Sequence, residues 1–195
     1  MSNIQFGTDG WRAIIAEDFT FENVRKVAHA IARYAVRAEK PGTGILVGYD
    51  TRFGSERFAR AAAETVTAAG IPVWLAAEAA PTPALSLLVK LRGAAGGIQI
   101  TASHNPYQWN GVKYKASYGS SASPAIVAQI EAELAKVQRD GVPALPPRAD
   151  LLHSLDLRAP YLETLDALVD WDRLRAAKFR FVIDPMHGAG RGLLR

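Results

Sequence analysis

Short unbroken apolar runs alternating with amphipathic helical patterns leave this chain few folds to choose from. Ile45-Leu46-Val47 is continuous rather than alternating, so the strand predicted over Gly44–Tyr49 is buried on both faces. A second run covers Ile71–Ala76 and a third Ala94–Ile100. Ahead of them Val24, Val27, Ala28, Ile31 and Tyr34 recur at helical spacing, in a segment that Thr20 caps and Pro41-Gly42 ends near Arg37. Gly54-Ser55 opens another helix to Ala69, closed by Gly70, and Pro81-Thr82-Pro83 starts a third that runs to Leu91. The βαβαβ order, with helices long enough for crossovers, predicts a three-layer α/β/α fold around a mostly parallel mixed sheet.

The third strand leads into the least ordinary stretch, GGIQITASHNPYQWNGVKYK, residues 96–115. Pro106 removes a donor and the run from Thr101 to Asn110 is dense in turn formers, so the strand ends and a polar loop hangs from the sheet edge. In open α/β sheets that edge is where ligands bind. Three groups there are candidates for joint chemistry: the Ser103 hydroxyl, the His104 imidazole and the Lys113 ammonium, which a tight turn at Asn110-Gly111 would return towards the serine. Serine is a weak nucleophile unless a base, a cation or a metal assists it, and a lysine serves as proton carrier or as a clamp on an anion. Taken singly these are ordinary loop residues, and a hydrogen-bonded turn with a satisfied histidine fits them as well. A serine hydrolase is disfavoured, because there is no G-x-S-x-G elbow and Ser103 and His104 are adjacent.

Asp50-Thr51-Arg52 is delivered to the same edge, ahead of a helix start, which suits an anion but lacks the Gly-Lys pairing of a P-loop. Near the N-terminus, Ile4–Phe6 and Arg12–Ile15 are predicted as short strands around the turn Gly7-Thr8-Asp9-Gly10. Arg12 follows that turn and, from the turn alone, reads as a surface arginine paired with a carboxylate. Trp11 reads as core or domain-interface packing, and His29, off its helix's apolar stripe, as solvated.

Composition bounds the function. A chain of 195 residues with 49% hydrophobic and 22% charged content buries a sizeable core. It has no cysteine, so no thiolate metal site or disulfide is possible, in keeping with a reducing cytoplasm. No signal pattern and no membrane-length apolar run is present, so a cytoplasmic location without membrane association is expected. The net charge of +4 is scattered over helical faces rather than gathered with aromatics, which argues against nucleic acid and suits anionic small molecules.

Further along, Ser123-Pro124 begins an amphipathic helix to Val137, Asp140–Asp150 is a proline-rich extended linker, Leu157–Val169 is helical, and Trp171–Ala177 extends it. Phe179–Ile183 reads as a fresh buried strand before Gly188, Gly190 and Gly192, as at the opening of a new α/β unit, and the sequence stops within that unit.

The string TASHNP followed by NGVK, together with FGTDGWRA (6–13), GYDTRFGSERFA (48–59), APTPALS (80–86) and FVIDPMHGAGRG (181–192), resembles the α-D-phosphohexomutases, the phosphoglucomutase and phosphomannomutase family. The motifs are long, fall in the family's order and span nearly the whole chain. The resemblance implies a phosphohexomutase domain I over residues 1–139, a linker and helices leading to domain II over 140–178, and a truncated start of domain II over 179–195. It implies an intramolecular phosphotransferase that moves phosphate between the 1 and 6 positions of a hexose phosphate through a phosphoserine at Ser103, with a hexose 1,6-bisphosphate as activator. Lys113, His104 and Arg12 are the implied catalytic partners, with Asn105 and Arg52 completing the phosphate-binding set. Mg²⁺ is the implied cofactor, held here only through the phosphate on Ser103, because the family's DGDADR-type loop is missing and Asp184 stands alone; His187 takes a domain-boundary position. On these grounds the chain by itself is expected to be inactive. The alternative is a non-catalytic sugar-phosphate-binding or interaction domain. FGTDGWRA, set against the FGTDGIRG form of phosphoglucosamine mutases, leans towards glucose or mannose phosphates, while the sugar and the oligomeric state stay open.

Overall fold

A computed structural model of the chain describes residues 4–7 and 10–193. Its strands are β1 (Trp11–Ile14), β2 (Ile45–Tyr49), β3 (Val73–Ala76), β4 (Gly96–Ile100), β5 (Trp109–Ala116) and β6 (Leu152–Leu155). Its helices are α1 (Phe21–Ala38), α2 (Ser55–Ala68), α3 (Thr82–Leu91), α4 (Pro124–Asp140), α5 (Arg158–Leu168) and α6 (Trp171–Ala176). The strands form one sheet in the order β1-β5-β4-β2-β3-β6. The neighbours β4, β2, β3 and β6 pair in parallel, whereas β1–β5 and β5–β4 are antiparallel. The expected mostly parallel mixed sheet is therefore what forms.

The chain moves from β2 to β3 in one direction and from β3 back past β2 to β4 in the other. Right-handed crossovers then put α2 and α3 on opposite faces. On one face, the space over Gly97 is filled by Leu85 and Val89 of α3. On the other, the space over Gly96 is filled by Tyr114, whose ring meets Tyr34 of α1 edge-on at 5.9 Å. The all-buried pattern of β2 and β4 follows from being covered on both sides. The reversal of direction at β2 opens a crevice beyond the carboxyl ends of β2 and β4. Asp50 and Thr101, which directly follow β2 and β4, lie at its floor.

Helix limits follow the sequence signals closely. Thr20 Oγ1 accepts from the Asn23 amide at 3.2 Å at the start of α1, and Gly54, at φ 72°, precedes α2. Trp11 packs in the core, stacked on Phe19 at 5.1 Å, and His29 is half-buried rather than solvated. Burial, reinforced by Arg33, lowers the His29 pKa.

Several expectations are corrected. Ile4 and Phe6 are buried, but the backbone there is not a strand; the Phe6 amide donates instead to Glu131 Oε1 at 3.1 Å. Thr8 and Asp9 of the opening turn, and Leu194 and Arg195 at the other end, lie outside the described residues. The proline-rich stretch is extended, as expected, but the chain then returns and adds β6 beside β3, and Leu157 is buried in the core. Phe179–Ile183 is not a strand: among the described residues nothing pairs with it, and Phe179, Phe181 and Val182 are exposed. Among the described residues no helix is long and apolar enough to cross a membrane.

The helical layer is tied by one ionic cluster. Glu133 of α4, 3% exposed, accepts from Arg33 (2.7 Å), Arg37 (2.8 Å) and Lys136 (2.9 Å). The Arg33 hydrogen bond, and then that of Lys136, hold the Glu133 carboxyl below its ordinary range. The two arginine side chains are 47% and 50% exposed, so solvent screens much of the attraction. Glu133→Gln is expected to cost about 2 kcal/mol, or roughly 5 °C in Tm by thermal melt at pH 7. A depressed folded value stabilises above the unfolded carboxylate pKa and loses that stabilisation as pH falls through the folded one. The gap between wild type and Glu133→Gln should therefore close below about pH 4.

Candidate active site

The loop from Thr101 to Gln108 stands over the crevice, and its backbone is fixed from beneath. Arg52, from the turn after β2, places its four Nη donors on loop carbonyls and turns Nε towards Asp50. Nη1 donates to the carbonyls of Pro106 and Trp109, both at 3.0 Å, and Nη2 to those of Ser103 and Asn105, both at 2.8 Å. Nε faces Asp50 Oδ2 at 3.3 Å, in an ion pair whose side chains are 14% and 16% exposed. Asp50 is in turn a hub: Oδ2 also accepts from the Thr101 hydroxyl at 2.7 Å, and Oδ1 accepts from Ser55 Oγ at 2.9 Å and the Arg52 amide at 3.1 Å. Ser55 Oγ accepts from the buried Asn110 side chain at 2.9 Å. This set closes the polar groups of the crevice on one another, as low-dielectric sites require.

Ser103 sits at φ 57°, the left-handed region, which costs a residue with a Cβ about 1 kcal/mol. It is held there from both sides, its amide donating to Thr101 Oγ1 at 3.0 Å and its carbonyl accepting from Arg52. The side chains of Ser103 and His104 point out to solvent, with Ser103 Oγ and His104 Nδ1 3.4 Å apart. Arg12, on β1, reaches the same loop through Nη1, which donates to Asn105 Oδ1 at 3.1 Å. Ser103, His104, Asn105 and Arg12 are thus brought together as the sequence suggests.

Arg52, expected in the phosphate-binding set, meets the loop through its backbone carbonyls. Its Nη donors are taken up by the loop carbonyls and its Nε side faces Asp50, so in this structure it clamps the loop backbone. Lys113 lies in β5 opposite Gln99, nearly buried, on the sheet face that carries Arg12 and Thr101 and one register step further from the edge. The tight turn expected at Asn110-Gly111 does not exist, since both residues are within β5. Gly111 is there for close approach: a Cβ would stand 2.6 Å from the Trp11 carbonyl oxygen and 2.7 Å from that of Thr101. Asp50, Thr101, Ser55 and Asn110 went unread as a unit, although Asp50 and Thr101 each follow a buried strand in the sequence. Among the described residues no three His, Asp or Glu side chains gather to hold a metal ion. The described residues therefore do not fit a complete Mg²⁺ site.

This fold and this loop define a class, the α/β/α domain that carries an exposed serine on a loop over a sheet switch point. A family model described as phosphoglucomutase/phosphomannomutase, alpha/beta/alpha domain I, matches residues 3–140, and the chain belongs to that family. It is 33% identical over 189 residues to a phosphoglucosamine mutase of Caldicellulosiruptor saccharolyticus, covering 96% of this chain and 41% of the relative. It is 34% identical over 192 residues to a phosphoglucosamine mutase of Chromohalobacter salexigens, covering 97% and 42%. A crystal structure assigned as a phosphomannomutase of Thermus thermophilus superposes with a TM-score of 0.86 at 38% identity, covering 99% of this chain and 42% of that one. The chain spans about two fifths of the length of the relatives it matches.

Proposed function

We propose that this chain is the phosphoryl-carrying part of a phosphohexomutase, with Ser103 as the carrier and a hexose phosphate as substrate. The observation that carries the reading is the exposed hydroxyl of Ser103 on a backbone locked in the left-handed region at the sheet switch point. A nucleophile that must give up and take back a phosphoryl group gains from such fixing, since phosphoryl transfer is mostly positioning and charge stabilisation. In the first half-reaction the bond between Ser103 Oγ and phosphorus breaks and one forms to a sugar hydroxyl, whose proton passes to a base of the site. In the second, Ser103 Oγ, giving its proton to the site, forms a bond to the other phosphorus of the hexose 1,6-bisphosphate while the sugar oxygen–phosphorus bond there breaks and that sugar oxygen takes up the proton.

Arg12 and His104 flank the phosphate in this scheme, Asn105 orients Arg12, and Lys113 carries the proton or balances the anion. Mg²⁺ would neutralise phosphate charge when bound, with the phosphate on Ser103 as the contact this chain would offer; among the described residues no cluster of carboxylates or histidines supplies further ligands. The proposed organisation keeps a first domain over 1–139, connecting segments over 140–178 and a second unit from 179, amended by β6, which belongs to the first domain's sheet. The reading is tested by incubating the gene's full-length product with hexose 1,6-bisphosphate labelled in phosphorus and mapping the label. Label on the Ser103 peptide is expected, and label elsewhere or nowhere refutes the assignment.

In the same protein Lys113→Met is expected to lower turnover by at least about 10²-fold, the usual floor for a positioned proton-transfer group. Steady-state kinetics decide it. Turnover within a few-fold of wild type would make Lys113 a packing residue of β5.

A further inference from the structure

We propose that Arg52 is a positioning residue of the reaction, acting with Asp50 to set where the Ser103 oxygen stands. The inference rests on the mutase reading above. Both peptide groups that flank the Ser103 side chain are held, and both holds lead to one atom. The carbonyl of Ser103 accepts from Arg52 Nη2 at 2.8 Å, and Arg52 Nε faces Asp50 Oδ2 at 3.3 Å. The amide of Ser103 donates to Thr101 Oγ1 at 3.0 Å, and that hydroxyl donates to Asp50 Oδ2 at 2.7 Å. The remaining donors of Arg52 fix the carbonyls of Asn105, Pro106 and Trp109, which define the rest of the loop. A guanidinium is suited to this because its donors form a rigid planar fork, whereas an ammonium offers three donors from one point.

The decisive variant in the full-length product is Arg52→Lys, which keeps the charge but cannot span the four carbonyls and Asp50. Single-turnover transfer from phosphorylated Ser103 is expected to fall by about 30-fold, in line with the cost of misplacing a reacting group by an ångström. KM should stay within about threefold and Tm within a few degrees, a split that lost stability alone does not produce. Thr101→Val removes the other hold and should lower transfer similarly, and Thr101→Ser, which keeps the hydroxyl, should restore it. That pair decides the matter if Arg52→Lys does not fold. Transfer within twofold of wild type in either damaging variant overturns the proposal, as does a Thr101→Val loss that Thr101→Ser leaves unrepaired. Should the wild type carry no phosphate on Ser103, the mutase reading fails, and the clamp is judged by hydrogen exchange. Faster exchange of the 103–109 amides in Arg52→Lys, with β2 and β4 unchanged, supports it; equal protection overturns it.

Discussion

Ser103→Ala in the full-length product is expected to remove the covalent phosphate and to lower mutase turnover by at least about 10⁴-fold, the scale on which covalent mechanisms lose their nucleophile. Stability should hardly change. The side chain is exposed, and its contact is with His104 at 3.4 Å, so few interactions are lost. Both backbone holds on residue 103 run through its amide and carbonyl, which alanine retains. The left-handed backbone penalises alanine and serine alike. Intact mass spectrometry of the purified protein reads the phosphate, a thermal melt reads the fold, and a coupled assay reads turnover. Residual turnover above about 1% of wild type would mean that phosphate reaches the sugar by a route that does not use Ser103.

What was legible in the sequence, and what was not, follows from where the information resides. The Ser103 loop was legible because Pro106 and its turn-forming neighbours forbid a strand locally, whatever surrounds them. The central strands were legible because continuous apolar runs have few alternatives. The role of Arg52 was not, because it depends on β2 lying next to β4, a fact of topology that no local pattern encodes. Asn110-Gly111 carries the strongest short hairpin signal there is and still lies within a strand. There the asparagine serves a buried network and the glycine a close backbone approach, both tertiary demands. The edge strand β6 escaped because His153 and Ser154 are exposed and its four residues lack both alternation and a continuous apolar run. Phe179–Ile183 erred the other way: it has the composition of a buried strand, but a strand also needs a neighbour, and none of the described residues supplies one.

The 195-residue chain is expected to fold cooperatively by itself and yet to show no mutase turnover. Folding is expected because the sheet is covered on both faces and its core ends at Leu157. Phe179, Phe181 and Val182, at 74%, 76% and 96% exposure, contribute little to that core, so deleting residues 179–195 should move Tm by less than about 2 °C. Catalysis asks for more than a held serine. The proposed reaction asks that the substrate be gripped at both ends and turned over between half-reactions, and the advantage of a well-oriented complex is worth roughly 7–11 kcal/mol. In this chain Ser103, His104 and Tyr107 face open solvent, and among the described residues no carboxylates converge near them to hold a metal ion. A site with one wall lowers the barrier little, since water competes for every charge that should meet the phosphate. The assay is direct: purified chain, Mg²⁺, a hexose 1-phosphate and the matching 1,6-bisphosphate, with a full-length relative as reference. Turnover approaching that of the reference would show that the residues of this chain suffice, and would move the metal and substrate ligands back onto this domain.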